Sequence, residues 1–245
     1  MEQEANSKPS VTALICTLNE EENLPHVLSK IPGWIDEVLI VDGHSTDRTV
    51  EVAKQICPRA RILYQPGRGK GEAFRFGVEQ ATSEIIVTLD ADGETDPDDI
   101  PAFIQPLSRG YDFVKGSRFA TGWRNKPIHR IFGNWVIVTT FNILYGAKYT
   151  DLCSGYSAFR KNLTERVDLW SKNGWNYEPL FISRIHRAGL RAVEVPQSTR
   201  GRLSGSSKLP NWEQGFTAVK VVVRERFLGS VSSKQSTVRS ERIDD

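Results

Sequence analysis

The sequence predicts an α/β fold with a mostly parallel central sheet covered by helices on both faces. Short runs rich in β-branched residues alternate several times with amphipathic stretches, which is typical of βαβ units. The chain has 245 residues and is long enough to bury a core without disulfide or metal staples. Because no linker rich in Pro, Gly or Ser divides it, we expect one domain over residues 11–228, between disordered tails at 1–10 and 229–245.

The elements of the first half follow from hydrophobic periodicity. The predicted strands are residues 11–17, 37–42, 60–65 and 84–90. The predicted helices are an amphipathic stretch over 21–31, a helix opened by a cap at Ser45 and Thr46, and residues 71–81. Right-handed crossovers between such strands would produce a parallel sheet.

The second half is less regular. We predict a strand over residues 112–119, a long apolar helix over 128–146 and an extended segment over 151–159. Two helices and a last strand follow within residues 167–195. The helix over 128–146 can lie at a bilayer surface or serve as an ordinary core helix, and the sequence leaves both interpretations open.

Composition excludes several classes of protein. Thirty-two Lys and Arg against 30 Asp and Glu give a net charge of +2, without the broad basic field of a general nucleic-acid binder. No run approaches the roughly 18 apolar residues of a membrane span. Three scattered cysteines argue against a disulfide framework or a zinc cluster and indicate a cytoplasmic, reducing environment.

Acidic residues fall where the predicted strands end, which is where open α/β sheets bind ligands. Glu20 follows the first strand and Asp42 ends the second, while Asp90, Asp92 and Glu94 follow the fourth. An Asp-x-Asp pair can hold Mg²⁺ or Mn²⁺, which takes further ligands from substrate phosphates. The alternative is that these acids only cap the next helix, since Asp-Pro at residues 96–97 is itself a helix start.

Two glycine-containing basic segments can bind phosphate. The Gly-Arg-Gly-Lys-Gly turn at residues 67–71, which includes Lys70, offers backbone N–H groups and cations to a diphosphate. A flexible turn before a helix explains the same pattern. Arg200, Arg202 and Lys208 lie in a run rich in Gly and Ser, which suits either a phosphate-binding loop or a solvated surface loop.

Taken together, six segments resemble the family 2 inverting glycosyltransferases with a GT-A fold, and most closely the branch of dolichol- and polyprenyl-phosphate mannose or glucose synthases. They are CTLNEEENL (16–24), VDGHSTDRT (41–49), LDADGETDP (89–97), VKGSRF (114–119), DLCSGYSAFR (151–160) and RLSGSSK (202–208). The resemblance covers residues 11–227 and implies a Rossmann-like, three-layer α/β/α domain.

The resemblance implies a role for each matching residue. Nucleotide contacts are assigned to Cys16, Leu18, Glu20, Ile40 and Asp42, and the lining of the diphosphate to Asp90 and Ala91. Asp92 would be the principal metal ligand with Glu94 beside it, and Arg118, Arg202 and Lys208 would bind donor or acceptor phosphates. We predict Asp90, Asp92 and Arg118 as the catalytic set. Cys16 and Leu18 replace the usual Pro and Tyr, and Val41 replaces the first Asp of the second motif.

The reaction implied by the resemblance is inverting transfer of a hexosyl group, mannose or glucose, from GDP-mannose or UDP-glucose to polyprenyl phosphate with Mg²⁺ or Mn²⁺. A lipid phosphate is already an anion at neutral pH, so it needs no general base. A transferase with a hydroxyl acceptor and a non-catalytic nucleotide-sugar-binding subunit are the alternatives. Contact with the cytoplasmic membrane face would come from a surface helix or from an anchoring partner.

Overall fold

A seven-stranded sheet forms the centre of the molecule. The computed structural model describes residues 8–120, 128–168, 177–199 and 211–227. The strands are β1 Val11–Thr17, β2 Glu37–Asp42, β3 Arg61–Tyr64, β4 Ile85–Asp90, β5 Phe113–Ser117, β6 Ser157–Arg160 and β7 Ala192–Pro196. Their order is β3-β2-β1-β4-β6-β5-β7, and only β6 runs antiparallel to its neighbours. The prediction of a mostly parallel sheet is confirmed.

Helices cover both faces of the sheet. They are α1 Leu24–Leu28, α2 Thr49–Ile56, α3 Lys70–Gln80, α4 Ile100–Ser108, α5 Ile128–Tyr145, α6 Leu163–Arg166, α7 Tyr177–Arg187 and α8 Asn211–Phe227. A short 3₁₀ turn, Pro97–Asp99, precedes α4. Neighbouring strand residues point to opposite faces, so that Leu14 joins a core formed with α3, α5, α7 and α8, whereas Ile15 joins a core formed with α1, α2 and α4. This is a three-layer α/β/α fold.

The long helix α5 has two different faces. Ile137, Val138 and Phe141 are buried in the core, whereas Phe132, Trp135 and Ile143 are exposed. The inner face therefore packs as in a core helix, and contact of the exposed face with a bilayer stays a prediction. Among the described residues, no helix is both long enough and apolar enough to cross a bilayer.

The predicted cap of α2 is wrong. The helix begins at Thr49 and not after a cap at Ser45 and Thr46. Ser45 instead donates its backbone N–H and its hydroxyl to the Asp42 carboxylate, at 2.8 and 2.6 Å. Asp47 accepts the Thr49 N–H at 2.9 Å, so the turn before the helix is longer than the sequence suggested.

The predicted tails are described only at residues 8–10. There the Ser10 carbonyl accepts the N–H of Ile85 at 3.0 Å, and its hydroxyl accepts the N–H of Glu84 at 3.0 Å. The rest of both tails lies outside the described residues.

Candidate active site

The loops that follow β1 and β2 are joined to one another by hydrogen bonds. Asn19, in the left-handed region at φ 52°, donates its N–H to the Ser45 hydroxyl at 2.9 Å. Its side-chain oxygen accepts the Thr46 N–H at 2.7 Å, and the Glu20 N–H donates to the Thr49 hydroxyl at 2.8 Å. The first two sequence motifs therefore form a single braced structure at the carboxyl edge of the sheet.

Two acids predicted to contact a nucleotide serve this brace. Asp42 is 0% exposed, and its carboxylate accepts the Thr17 hydroxyl at 3.0 Å besides both groups of Ser45. The Glu20 carboxylate, also buried, accepts the side-chain amide of Asn23 at 2.7 Å. Through these bonds both carboxylates stabilise the loops. That either of them contacts a nucleotide stays a prediction.

The other predicted nucleotide contacts differ in accessibility. Leu18 is 45% exposed at the end of β1, with Gly43 alongside it. Cys16 is half-buried beside Asp90 in the strand register, and burial raises the pKa of its thiol to about 12. Ile40 lies within the sheet and is buried in the core that contains α1 and α2, so the structure does not bring its side chain to the site.

At the end of β4, Asp90 forms an ion pair with Lys70. The Lys70 ammonium is 2.5 Å from Asp90 Oδ1 and 3.4 Å from Glu178 Oε1 in α7. Burial by itself would raise the pKa of Asp90, but the nearby positive charges, of which Lys70 is the strongest, lower it overall. Asp90 is therefore held as an anion by a cation that reaches it from the start of α3. Ala91, the next residue, is buried.

Asp92 and Glu94 form an acidic tip beyond this ion pair. The Glu94 N–H donates to Asp92 Oδ1 at 3.0 Å. Burial, followed by the charges of Asp90 and Glu94, raises the pKa of Asp92 to about 6. A carboxylate with a raised pKa beside other acids is an environment in which a cation would be stabilising.

The carboxylates of Asp92 and Glu94 fit a hard divalent cation that takes only some of its ligands from the protein. In the described ranges, no group of three or more His, Cys, Asp or Glu side chains is placed to hold a metal ion. Mg²⁺ commonly uses one or two carboxylates and completes its shell with water and substrate phosphates. Asp92 and Glu94 match that requirement in number and chemistry.

Arg118 reaches the same edge from the end of β5. Its Nε and Nη2 donate to Asp151 at 2.6 and 3.0 Å, a bidentate pair with a fully buried carboxylate. Burial would raise the pKa of Asp151, but Arg118 lowers it to about 2. Burial also opposes the charge of Arg118, yet Asp151 and, more weakly, Cys153 and Glu94 raise the pKa of the guanidinium. Arg118 is therefore fixed within electrostatic range of the acidic tip.

The glycine-rich turn has the conformation that glycine favours. Gly69 has φ 89° and ψ 158°, a combination that is essentially restricted to glycine, immediately before Lys70 opens α3. The turn thus places Lys70 against Asp90, and its contact with a diphosphate stays a prediction.

The second basic segment cannot be placed directly. Arg200, Arg202 and Lys208 lie outside the described residues. Just before them, Thr199 forms an antiparallel bridge with Thr95, and the Ser198 hydroxyl donates to Asp99 at 3.1 Å. Thr199 therefore lies next to the residue that follows Glu94, and Arg200, the first residue of the basic segment, is the next residue in the sequence.

Sequence reasoning missed Gly155, Glu178 and Asp151, the carboxylate that pairs with Arg118. Gly155 lies so close to the Lys70–Asp90 pair that a Cβ there would be 2.6 and 2.8 Å from the Asp90 oxygens and 2.8 Å from Lys70 Nζ. Gly155 lies within the motif DLCSGYSAFR, but the motif does not indicate that this glycine packs against the Lys70–Asp90 pair. Glu178 carried no sequence signal, because a single acid in an amphipathic helix is ordinary.

The order and directions of the strands match the Rossmann-like GT-A fold. Residues 12–168 match the family described as Glycosyl transferase family 2. The chain belongs to that family and is a glycosyltransferase.

Relatives of known name are similar over most of the chain. The dolichyl-phosphate hexose transferase of Haloferax volcanii is 32% identical over 218 residues, 86% of this chain and 93% of that protein. The undecaprenyl-phosphate mannosyltransferase of Micrococcus luteus is 32% identical over 225 residues, 86% of this chain and 92% of the relative. Glycosyltransferase AglJ of Haloferax volcanii is 33% identical over 80% of this chain, which spans only 65% of AglJ.

Solved structures share the fold. The glucosyl-3-phosphoglycerate synthase of Mycobacterium tuberculosis, crystallised with Mn²⁺, UDP and glucosyl-3-phosphoglycerate, superposes with a TM-score of 0.67 at 22% identity. The match covers 89% of this chain and 80% of the synthase. The same protein was crystallised with Mg²⁺ and UDP, and that structure superposes with a TM-score of 0.68.

Proposed function

We propose that this enzyme transfers a hexosyl group, mannose or glucose, from a nucleoside-diphosphate sugar to polyprenyl phosphate with inversion at the anomeric carbon. The observation that carries the proposal is the acidic tip of Asp92 and Glu94, which interacts electrostatically with two cations that carboxylates already orient, Lys70 and Arg118. The printed names of relatives that act on dolichyl or undecaprenyl phosphate support the acceptor.

On the donor side, Asp92 with Glu94 would hold Mg²⁺ or Mn²⁺, which supplies stabilisation of the negative charge that develops on the leaving diphosphate. Lys70 enters from the N-terminus of α3, where backbone N–H groups also favour an anion. Leu18 is the predicted nucleotide contact with the most exposed side chain, and it suits the apolar face of a base.

On the acceptor side, Arg118 suits an anion. Asp151 fixes the plane of the guanidinium, so little side-chain entropy is lost when a phosphate binds. A phosphate monoester has a second pKa of about 6 and attacks as an anion at neutral pH, without a side-chain base. Arg202 and Lys208 would add to this phosphate contact from the segment that follows Thr199.

We assign the peripheral membrane contact to the outer face of α5 and α8, which pack side by side. Tyr145 of α5 donates to the Val222 carbonyl of α8 at 3.2 Å. The outer face exposes large apolar side chains next to basic ones: Phe132, Trp135, Ile143, Phe216, Lys220, Val223, Arg224, Arg226 and Phe227. Aromatic and basic residues together on a helix surface favour an anionic lipid interface.

The reaction is tested with purified protein, Mn²⁺, polyprenyl phosphate in vesicles and radiolabelled GDP-mannose or UDP-glucose. We expect labelled lipid from one donor, and a loss of at least about 100-fold in rate for Asp92→Asn, since it removes the principal ligand. Thermal-shift titration with GDP and UDP identifies the base that binds. A complete lack of labelled lipid with every common donor would refute the proposal.

Membrane contact is tested by flotation with vesicles that contain anionic lipid. Trp135→Ser with Ile143→Ser should move the protein from the floating to the bottom fraction. The control is Trp34→Ser with Ile56→Ser, an exposed pair of the same residue types outside α5 and α8. Equal flotation of both double variants would contradict this surface.

A further inference from the structure

A lysine is buried beneath the candidate active site. Lys115 lies in the middle of β5 and is 1% exposed. Its ammonium donates a hydrogen bond to the Ser154 carbonyl. A buried ammonium is costly unless nearby groups compensate for its lost hydration, and Asp151 and Glu178 are the carboxylates that act on it. Burial lowers the pKa of this ammonium, and the two carboxylates oppose that shift. The amino group of Lys115 therefore lies in the interior as a hydrogen-bond donor to the segment that contains Ser154.

The carbonyl that Lys115 binds belongs to the segment over residues 151–156, which other buried groups also hold. The Thr88 hydroxyl donates to the Gly155 carbonyl at 2.6 Å. The Ser154 hydroxyl donates to the Gln197 side chain at 2.6 Å and accepts the Tyr156 N–H at 3.2 Å. Two successive carbonyls of the segment are thus bound from β4 and β5.

This segment contacts both cations of the site. At one end, Asp151 forms the bidentate pair with Arg118. Near the other end, Gly155 lies against the Lys70–Asp90 pair, with no room for a Cβ. A displacement of Ser154, which stands between them, would disturb both ion pairs at once.

We propose that Lys115 is a positioning residue: its buried ammonium fixes the Ser154 carbonyl, so that residues 151–156 keep the Arg118–Asp151 and Lys70–Asp90 pairs aligned for donor and acceptor phosphates. The inference rests on the proposed function for its kinetic assay. An apolar side chain of the same length would fill the space but leave the carbonyl buried without its donor.

The experiment compares Lys115→Met with Lys161→Met. Lys161 also donates its ammonium to a backbone carbonyl, that of Ala81, at the opposite edge of the sheet. We expect Lys115→Met to weaken nucleotide binding with Mn²⁺ and to lower kcat/KM for transfer, each by about tenfold or more, and Lys161→Met to change neither by more than about twofold. A folded Lys115→Met within twofold of wild type would overturn the proposal.

A double-mutant cycle with Gly155→Ala adds a measurement that a merely structural role would not move. Because both substitutions act through the same segment, the double variant should lose no more than about threefold beyond the worse single variant. Losses that multiply would overturn the proposal. If Lys115→Met does not fold, Lys115→Leu, a shorter apolar side chain that also removes the donor to the Ser154 carbonyl, enters the same cycle under the same criteria.

Failure of the proposed function is a separate outcome, since wild type would then yield no labelled lipid. In that case the crystal structure of Lys115→Met tests the positioning role without an activity assay. A displaced Ser154 with altered Arg118–Asp151 and Lys70–Asp90 pairs supports the positioning role, and unchanged pairs overturn it.

Discussion

Gly155→Ala should lower activity while leaving the fold nearly intact. The new Cβ would be 2.6 Å from the nearest Asp90 oxygen and 2.8 Å from Lys70 Nζ, whereas ordinary contact begins at 3.4 Å. These groups would have to retreat by about 0.6–0.8 Å, which stretches the 2.5 Å ion pair toward the limit of a hydrogen bond. Loss of a partly exposed charge-assisted bond costs about 1.5 kcal/mol, which corresponds to about tenfold in kcat/KM.

The assay is steady-state transfer to polyprenyl phosphate, with unfolding by urea measured in parallel. Gly33→Ala is the matched control, because no heavy atom lies within 4 Å of its added Cβ and its φ is not left-handed. A Gly155→Ala enzyme with wild-type kcat/KM would refute the claim that the Lys70–Asp90 geometry matters. So would an equal loss in the Gly33→Ala control.

Two further predictions concern acids of the candidate site, Asp151 and Asp92. Asp151→Asn should lower the free energy of unfolding by about 3 kcal/mol, because it leaves the Arg118 charge without its partner. Since the pKa of Asp151 is lowered to about 2 from 3.8, the wild-type pair contributes about 2 kcal/mol above pH 4 that is lost as the pH falls toward 2. The difference between the urea midpoints of wild type and Asp151→Asn should therefore be smaller at pH 2.5 than at pH 5. An equal difference at the two pH values would contradict the assignment. For Asp92, whose pKa is about 6 without metal, Mn²⁺ affinity measured by calorimetry should fall by up to about tenfold per pH unit below 6. A flat profile between pH 5 and 7 would exclude Asp92 as a principal ligand.

The fold followed from the sequence because its signals are local. The runs at 11–17 and 37–42 became β1 and β2 with the predicted bounds, since β-branched residues buried on both faces leave little choice. The start of α2 was not predictable in this way. Ser45 is a good cap by residue type, but the Asp42 carboxylate competes for its hydroxyl and its N–H.

The site was predictable only in part. Acids at strand ends predicted a site at the carboxyl edge of the sheet, and the structure places Asp90, Asp92 and Arg118 near one another at that edge. Their roles in the reaction stay a prediction. Whether an acid faces a ligand or braces a loop depends on how deeply its side chain is buried. The residues around Asp42 in the sequence do not show that its side chain is fully buried. The partnership of Lys70 with Glu178 joins residues 108 positions apart, and no local pattern reports such a contact.

The central claim, transfer to a lipid phosphate without a side-chain base, is tested most directly by offering polyprenyl phosphate and polyprenol to the wild-type enzyme in identical vesicles. The measurement is the initial rate of label transfer from the nucleotide sugar in the presence of Mn²⁺. We predict labelled product from polyprenyl phosphate and at least about 100-fold less from polyprenol, because the alcohol needs a base and offers Arg118 no anion. Comparable rates with the two acceptors would contradict the claim.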